Sequence, residues 1–408
     1  MIAISNITIW KHKVGVLLWD ELQNLGIFEF DKNFTKFGLD LSPLVMPINE
    51  LRSNKNVFSF PDLNFEKFYG LPGIFSESLP DGFGNKIIDL WFINENKNQI
   101  SPINKLGFIG SRGIGALHYE NLDCKSVEIA SNLKIPELID FVNSVAYNST
   151  FKYNEQLFQI TTVFSGKNPK AIVSYNPKTN NFRSGTINNF DGFEYWLIKL
   201  DLEKNDSLKI EFAYHLMAKD CGIETTVSRM FYENGHSHLL SKRFDRDKSH
   251  KVHVQSLCGL AHFENSFSKV NSFEHVFEVL RQLKMSYISQ EELFRRIVFN
   301  LMSRNQNYTS KKISFLIDSS GKWKLAPAYG LSFDLLGNAD RMSINQKTEN
   351  IILDDLLMFA KKLNIKKPKK IIERCNEVLF NWMDYAQLAS VNLDKIRKID
   401  RELIVFDL

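Results

Sequence analysis

The chain has 408 residues, 44% of them hydrophobic and 24% charged, and its formal net charge is +4. A chain of this length favours two or three folded domains over one, and so mild a positive charge does not by itself indicate nucleic-acid binding. The four cysteines, Cys124, Cys221, Cys258 and Cys375, are scattered without a CxxC pair, which argues against a structural zinc site and against a disulfide framework.

Neither a signal peptide nor a membrane-spanning helix is predicted. The N-terminal segment has no basic region followed by an apolar one. No window approaches the roughly 18 apolar residues that a membrane-spanning helix needs. We therefore expect a cytoplasmic protein with no membrane partner.

Residues 1–120 alternate short apolar runs with turns. The runs at residues 7–10 and 14–19 predict the two strands of a β-hairpin, and residues 86–92 predict a short helix. The glycine-dense stretch 110–115 (GSRGIG) lacks the Lys-Ser/Thr pair of a phosphate-binding loop, so we interpret it as a tight structural turn.

A small β-rich lobe is predicted for the middle of the chain. Residues 170–175, 193–200 and 238–244 have the apolar, aromatic and β-branched character of strands. Residues 208–221 have helical spacing and are followed by Gly222, which suits the end of a helix.

The last third of the chain has a mainly helical pattern. Helical spacing recurs over residues 273–283, 289–302, 351–363 and 368–386. A β-hairpin is predicted over residues 313–325, with Ser319-Ser320-Gly321 at its turn. A β-rich lobe with one helix, followed by a helical lobe that holds a short hairpin, is the layout of a protein kinase.

Six short motifs occur in the order in which they occur in the HipA family of serine/threonine kinase toxins. They are GLPG (70–73), SLPDGFG (78–84), GSRGIGAL (110–117), SGKNPKA (165–171), WLIK (196–199) and RFDR (243–246). Each motif alone is weak, whereas six in the right order are specific. The sequence therefore resembles the HipA family over nearly its whole length.

The resemblance implies an α+β fold, with a β-rich N-terminal domain followed by a two-lobed, protein-kinase-like fold of the HipA type. We expect the N-terminal domain to occupy residues 1–122. The kinase N-lobe with its glycine-rich loop would follow over residues 123–248, and the helical C-lobe with the catalytic loop over residues 249–408.

The resemblance also implies an ATP site. In the family a glycine-rich loop covers the nucleotide, and a lysine on the following strand holds its phosphates. The expected cofactor-binding residues are Ser165, Gly166, Lys170, Lys199, Glu211, Arg243 and Phe244. For Lys199 the alternative is an edge-strand lysine in water, and for Glu211 it is a solvated helix glutamate.

The catalytic loop, residues 305–312 (NQNYTSKK), resembles the family motif NxDDHxKN without its acidic residues. The resemblance assigns Asn305 and Lys311 to retained catalytic positions. Asn307 stands where the family has its catalytic base, and a neutral amide cannot usefully accept a proton. The loss of this base indicates a pseudokinase, or an enzyme with an altered mechanism.

The two positions at which the family binds Mg²⁺ have also changed. Lys312 replaces the metal-binding Asn, and its ammonium group would repel a cation. Gly330 replaces the Asp of the APAYD motif and has no side chain. We therefore expect no ordinary Mg²⁺ site, whereas ATP binding remains open because the charge of Lys312 can replace that of one metal ion in part.

Substitute acids would permit an active kinase. Asp334 lies four residues beyond Gly330, and Asp318 precedes the predicted hairpin turn. Either side chain would reach a metal only in a rearranged loop. The alternative to a pseudokinase is therefore a kinase toxin that phosphorylates a translation component, and a weaker third hypothesis is another transfer chemistry on ATP.

The family implies a small helix-turn-helix antitoxin, HipB-like, as the partner, with DNA bound through that complex. A basic segment near the C-terminus contains Lys361, Lys362, Lys366, Lys367, Lys369 and Lys370. This segment would contact DNA phosphates, or it is a solvated helical surface.

Overall fold

The structure is a computed structural model, which describes residues 3–48, 56–80, 82–97, 100–120, 130–147, 149, 153–162, 169–185, 192–248, 250–263, 272–335 and 341–408. Three residues singled out in the sequence, Cys124, Ser165 and Gly166, lie outside these ranges. The elements alternate between helices and antiparallel strands, which confirms the predicted α+β class.

The chain forms two compact units. The first unit comprises Met1–Glu203, Phe231–Gln255 and Leu316–Lys322, and the second comprises Lys204–Met230, Ser256–Phe315 and Trp323–Leu408. The domain limits proposed from the resemblance, at residues 122 and 248, stay a prediction. None of the helices in the described ranges is long and apolar enough to cross a membrane.

The first unit begins with a five-stranded sheet of order β4-β3-β2-β1-β5. Its strands are β1 (Ile4–Ile9), β2 (His12–Asp20), β3 (Leu25–Phe30), β4 (Val57–Phe58) and β5 (Leu117–Glu120). The register pairs Ile7 with Gly15 and Gly15 with Phe30. A Cβ at Gly15 would lie 2.2 Å from the Glu29 carbonyl oxygen, so the close packing of β2 on β3 requires glycine. The predicted N-terminal hairpin is confirmed as β1 and β2.

Short helices accompany the strands of the first unit. They are α1 (Phe65–Phe68), α2 (Gly73–Ser76), α3 (Gly82–Asn94), α4 (Pro102–Ile109), α5 (Ile135–Ala146) and α6 (Glu155–Thr161). Helix α4 begins at a capping box, in which Ser101 and Asn104 each bond the backbone of the other. The helix predicted over residues 86–92 lies within α3, which begins one turn earlier.

The second sheet of this unit has six strands in the order β10-β11-β9-β7-β8-β6. They are β6 (Asn132–Leu133), β7 (Lys170–Asn176), β8 (Asn181–Arg183), β9 (Glu194–Lys199), β10 (Ser228–Glu233) and β11 (His236–Lys242), and β12 (Arg246–Asp247), β13 (His250–Lys251) and β14 (His253–Ser256) follow. Tyr175 and Trp196, with ring centroids 5.6 Å apart, are part of its buried face. The three strands predicted for this region are confirmed.

The second unit is mainly helical. Its elements are α7 (Ser207–Asp220), α8 (Leu257–Ala261), α9 (Phe273–Gln282), α10 (Tyr287–Met302), β16 (Trp323–Leu325), α11 (Leu353–Lys362), α12 (Pro368–Phe380), α13 (Trp382–Leu388) and α14 (Leu393–Asp400). Strand β15 (Ser314–Ile317) begins in this unit and ends in the first. The single helix predicted over residues 368–386 is wrong, because the chain leaves helical geometry at Asn381 and restarts as α13. Helix α7 ends as predicted, with Gly222 at a φ of +80°.

Two aromatic residues join the helices at the centre of the second unit. The fully buried Trp382 packs against Tyr214, with ring centroids 5.6 Å apart, and its Nε1 donates to the Ile396 carbonyl. The Tyr214 hydroxyl donates to the Ser303 carbonyl at 2.6 Å. These bonds fasten α7, α13 and α14 to the segment that leads from α10 into the catalytic loop.

Candidate functional site

The RFDR motif of the first unit surrounds a buried aspartate. Asp245 accepts hydrogen bonds from Arg243 Nε at 2.9 Å, from Arg246 Nη1 at 2.7 Å and from the Gly115 backbone N–H at 2.8 Å. Burial disfavours the ionised carboxyl, yet Arg243 and Arg246 hold the pKa of Asp245 well below its usual range. The motif is therefore an ion-paired cluster inside the first unit.

The same two arginines fasten the glycine-dense turn 110–115. Arg243 Nη2 and Arg246 Nη2 both donate to the Gly113 carbonyl, at 3.0 and 2.7 Å. Gly115 has a φ of +79°, and a Cβ there would lie 2.8 Å from His253 Nδ1. The interpretation of this stretch as a tight structural turn is confirmed.

Two predicted cofactor-binding residues, Arg243 and Phe244, lie in this ion-paired cluster or beside it. The Arg243 guanidinium is buried and bonds Asp245 and the Gly113 carbonyl, so its donors serve the fold. Phe244 lies beside it in the chain and is partly buried. Their contact with a nucleotide stays a prediction.

Lys170 and Lys199 lie directly opposite each other in the second sheet. They are Cα partners in the pairing of β7 with β9, and Lys199 also pairs with Leu239 of β11. The edge-strand alternative for Lys199 is therefore wrong, because β9 has a neighbour on both sides. Opposed residues of antiparallel strands point to the same face of the sheet. Two half-buried lysines thus share one face.

Glu211 belongs to the second unit, where it is half-buried on α7. Its side chain is thus less exposed than a fully solvated glutamate and more exposed than a buried ion-pair partner. Its pairing with Lys199 stays a prediction.

Two kinds of hydrogen bond fix the catalytic loop of the second unit: backbone bonds to Asp334 and a bond from the buried side-chain amide of Asn305. Asn305 is 2% exposed, and its Nδ2 donates to Asn300 Oδ1 at 2.6 Å. The Gln306 N–H donates to the Asp334 carbonyl at 3.0 Å, and the Asp334 N–H donates to the Arg304 carbonyl at 3.1 Å. Backbone hydrogen bonds therefore hold the start of the loop against the segment that contains Asp334.

The two degenerate metal positions are in direct contact. Lys312 Nζ donates to the Gly330 carbonyl oxygen at 3.1 Å. An ammonium group thus lies at one position where the family has a metal ligand, and the other position has only a backbone carbonyl. Magnesium requires oxygen ligands, usually with at least one carboxylate. The residues at these positions therefore do not fit a magnesium ion.

The remaining members of the two catalytic motifs are held close together. The Tyr329 hydroxyl bonds the Ser314 hydroxyl at 2.6 Å and donates to the Lys311 carbonyl at 3.1 Å. Asn307 is half-buried, and Lys311 is exposed. The structure thus brings Lys311 and Tyr329 together, and likewise Lys312 and Gly330, whereas the catalytic role of these positions stays a prediction.

The two proposed substitute acids occupy different settings. Asp318 belongs to the first unit, is exposed, and caps its own turn by accepting from the Ser320 and Lys322 N–H groups. Asp334 belongs to the second unit and is half-buried beside the catalytic loop. Of the two, only Asp334 is placed next to the catalytic loop within one unit.

Two family models match the chain. The HipA N-terminal domain matches residues 5–120, and the HipA-like C-terminal domain matches residues 162–382, which is more than half of the chain. The chain belongs to the HipA family. The HipA resemblance stated from the six motifs is thereby confirmed.

Solved structures also resemble this HipA-family chain. The HipA toxin of Shewanella oneidensis MR-1, solved with HipB and operator DNA, is 15% identical, with a TM-score of 0.68 over 98% of this chain and 95% of that one. This likeness shows that the fold is of the HipA type. The Helicobacter pylori proinflammatory kinase CtkA is 12% identical, with a TM-score of 0.33 over 54% of this chain and 90% of that one.

A curated relative matches a short segment. The Haemophilus influenzae protein named "Putative kinase" is 29% identical over 96 residues, which are 21% of this chain and 28% of that protein. The match thus spans little more than a quarter of the relative's length.

One buried ion pair of this HipA-family chain was not predicted from the sequence. Arg296 Nε bonds Glu292 Oε1 at 2.8 Å, and Arg296 Nη1 donates to the Ala326 carbonyl at 2.8 Å. Glu292 Oε1 also accepts from the Glu224 N–H at 3.0 Å. This pair fixes the start of the APAYG segment, and its signal in the sequence was a Glu and an Arg four residues apart within an apolar helix.

Proposed function

We propose that this HipA-family chain is a pseudokinase of a toxin–antitoxin system, which acts by forming a protein complex and not by phosphoryl transfer. The observation that carries the proposal is the 3.1 Å bond between Lys312 Nζ and the Gly330 carbonyl. The ammonium group of Lys312, at one of the two positions that hold the metal in the family, thus bonds the backbone of the other position, Gly330.

The chemistry of phosphoryl transfer supports this proposal. The reaction depends on metal ions that neutralise the phosphates and on a residue that orients or deprotonates the acceptor hydroxyl. Losing a positioned base alone costs on the order of 10²–10⁴ in rate. The neutral Asn307 and the Lys312–Gly330 contact remove both contributions at once.

Nucleotide binding without catalysis is part of the proposal. Lys170 and Lys199 are opposed in the pairing of β7 with β9, so their ammonium groups lie on the same face of the sheet. The triphosphate of ATP is a polyanion that such a pair of cations would bind. We propose that ATP binds on this face of the first unit in a way that needs no Mg²⁺, because the two ammonium groups supply the positive charge.

The proposed partner is a small HipB-like helix-turn-helix antitoxin, with operator DNA bound through the complex. The Shewanella HipA was solved in such an assembly. The six lysines between Lys361 and Lys370 are all exposed, at the end of α11 and the start of α12. Through the complex, this basic surface would add a salt-dependent contact with DNA phosphates.

Calorimetric titration with ATP tests the proposal, with and without Mg²⁺, beside a radiolabelled autophosphorylation assay. We expect the same ATP affinity in both titrations and no incorporated label. Binding that requires Mg²⁺, together with incorporated label, would show instead that the chain is an active kinase.

A second candidate function rests on the position of Asp334. Its backbone bonds Arg304 and Gln306, so its carboxylate is the acid that this alternative assigns to the place of the lost ones. Under this alternative the chain is a serine/threonine kinase toxin that acts on a translation component. Any kinase activity of the wild type should then disappear in Asp334→Asn and persist in Asp318→Asn.

A further inference from the structure

The second unit contains a cavity of about 470 Å³ beside the catalytic loop. Part of its wall is apolar and includes Phe273, Leu301 and Met342. Another part is polar and consists of the consecutive residues Arg304, Asn305 and Gln306. This volume and this mixture of surfaces are typical of small-molecule sites.

The polar part of the wall carries buried atoms that lack hydrogen-bond partners within the described part of the chain. They are Arg304 Nε, Asn305 Oδ1 and Gln306 Oε1. Asn305 is 2% exposed, so bulk water does not compensate for the missing bond. Nearly all buried polar atoms in proteins have a partner. Three consecutive residues with unpaired atoms on one cavity wall therefore indicate that a bound molecule supplies the partners.

The charge of the wall indicates the sign of that molecule. The Arg304 guanidinium remains protonated at any physiological pH, and no described acid pairs with it. Its backbone has a φ of +59°, and its carbonyl accepts from the Asp334 N–H. Arg341 also lines the cavity, where Glu349 pairs with it at 3.1 Å. One uncompensated arginine thus faces the cavity.

We propose that this cavity binds a small organic anion that carries hydroxyl groups, a sugar phosphate or a hydroxy acid. The anionic group bonds the Arg304 guanidinium. The amide oxygens of Asn305 and Gln306 accept hydrogen bonds from the hydroxyl groups, and the apolar wall covers the carbon skeleton. All of these residues lie in the second unit, and none of them is a predicted nucleotide-binding residue. The proposal goes beyond the proposed function and does not depend on it.

The bound anion would stabilise the catalytic loop. Arg304 and Gln306 are the two residues whose backbones bond Asp334. A ligand that fixes their side chains therefore also fixes the backbone bonds that hold the loop. This stabilisation provides a readout that is independent of any phosphoryl transfer.

Calorimetry on the full chain tests the proposal with ribose 5-phosphate, citrate, inorganic phosphate and uncharged ribose. We expect ribose 5-phosphate or citrate to bind more tightly than inorganic phosphate, and ribose not to bind. Which of the two organic anions binds distinguishes a phosphate ligand from a carboxylate ligand. Binding by neither would overturn the proposal.

Matched variants locate the binding. Arg304→Gln should weaken the binding of the organic anion at least about tenfold, because a hydrogen bond to a charged group is lost. Arg397→Gln removes one charge from the exposed face of α14 and should leave the affinity unchanged. Equal affinity in Arg304→Gln and the wild type would overturn the proposal.

A second variant covers the case in which Arg304→Gln does not fold. Gln306→Leu keeps the approximate size of the side chain and removes only its amide group. It should weaken the binding of the organic anion severalfold and leave the weak binding of inorganic phosphate unchanged. An unchanged affinity for the organic anion in Gln306→Leu would contradict the assignment of this wall.

Discussion

The RFDR segment of the first unit and the catalytic loop of the second resemble HipA motifs to different degrees. In RFDR all four residues match, and the charged groups of Arg243, Asp245 and Arg246 bond one another or the adjacent turn. In the catalytic loop the acids are absent, although buried Asn305 and its bond to Asn300 remain. The residues that hold the fold match the family, and those that would act on a metal do not. Under the proposed function, this chain keeps the architecture of the kinase without its chemistry.

The largest effect is expected from Asp245→Asn in the first unit. The substitution leaves the buried guanidinium groups of Arg243 and Arg246 without a counter-charge, and breaking a buried ion pair in this way costs about 3–5 kcal/mol. Urea denaturation should show this loss of unfolding free energy. Asp247→Asn, at an exposed position of β12, is the control and should change it by less than about 0.5 kcal/mol. Equal effects of the two variants would contradict the ion-paired role of Asp245.

The same carboxylate should make the first unit sensitive to acid. The pKa of Asp245 is lowered in the folded state, so its stabilising contribution is present above the unfolded-state pKa of about 4 and is lost as the pH falls below it. Unfolding free energies measured between neutral pH and pH of about 3 should therefore decline more steeply in the wild type than in Asp245→Asn. Parallel pH profiles would show that Asp245 does not contribute to this decline.

Substitutions in the catalytic loop should lead to a gain of kinase activity, whereas Asp245→Asn leads to a loss of stability. Restoring the acids and the amide in the combined variant Asn307→Asp, Lys312→Asn and Gly330→Asp should raise autophosphorylation by at least about 10²-fold, the scale of one positioned base. Asn307→Asp alone is the control and should remain inactive, because Lys312 still bonds the Gly330 carbonyl. An inactive combined variant that folds normally would mean that the departure from kinase chemistry extends beyond these positions.

A smaller effect is expected from the lysine pair of the second sheet. Lys199→Met keeps the apolar stem and removes the charge, so it should weaken ATP binding about tenfold, which corresponds to about 1.4 kcal/mol. Calorimetry measures this change. Lys178→Met, at the exposed turn between β7 and β8, is the control and should leave the ATP affinity unchanged.

Much of the secondary structure and of the fold can be predicted from the sequence. The strands and most helices follow from local patterns of apolar residues, and the HipA fold follows from the ordered motifs. The break at Asn381 was not predicted, because α12 and α13 are both amphipathic and no Gly or Pro separates them. The bonds of Arg296 to the Ala326 carbonyl and of the Glu224 N–H to Glu292, and the cavity beside Arg304, depend on contacts between residues far apart in the chain. Such contacts leave no periodic signal in the sequence.

The smallest effect is expected from alanine substitutions at two glycines, one in each unit, that both have a positive φ. Gly115 and Gly330 have φ values of +79° and +63°, so an alanine at either position costs about 1 kcal/mol in backbone strain. A Cβ at Gly115 would also lie 2.8 Å from His253 Nδ1, whereas one at Gly330 would have no neighbour within 4 Å. Gly115→Ala should therefore lower the unfolding free energy by roughly 1 kcal/mol more than Gly330→Ala does. Urea denaturation of both variants measures the difference. A cost at Gly330 as large as that at Gly115 would mean that the space beside Gly330 is filled, and Gly330→Asp would then be a poor route to a metal site.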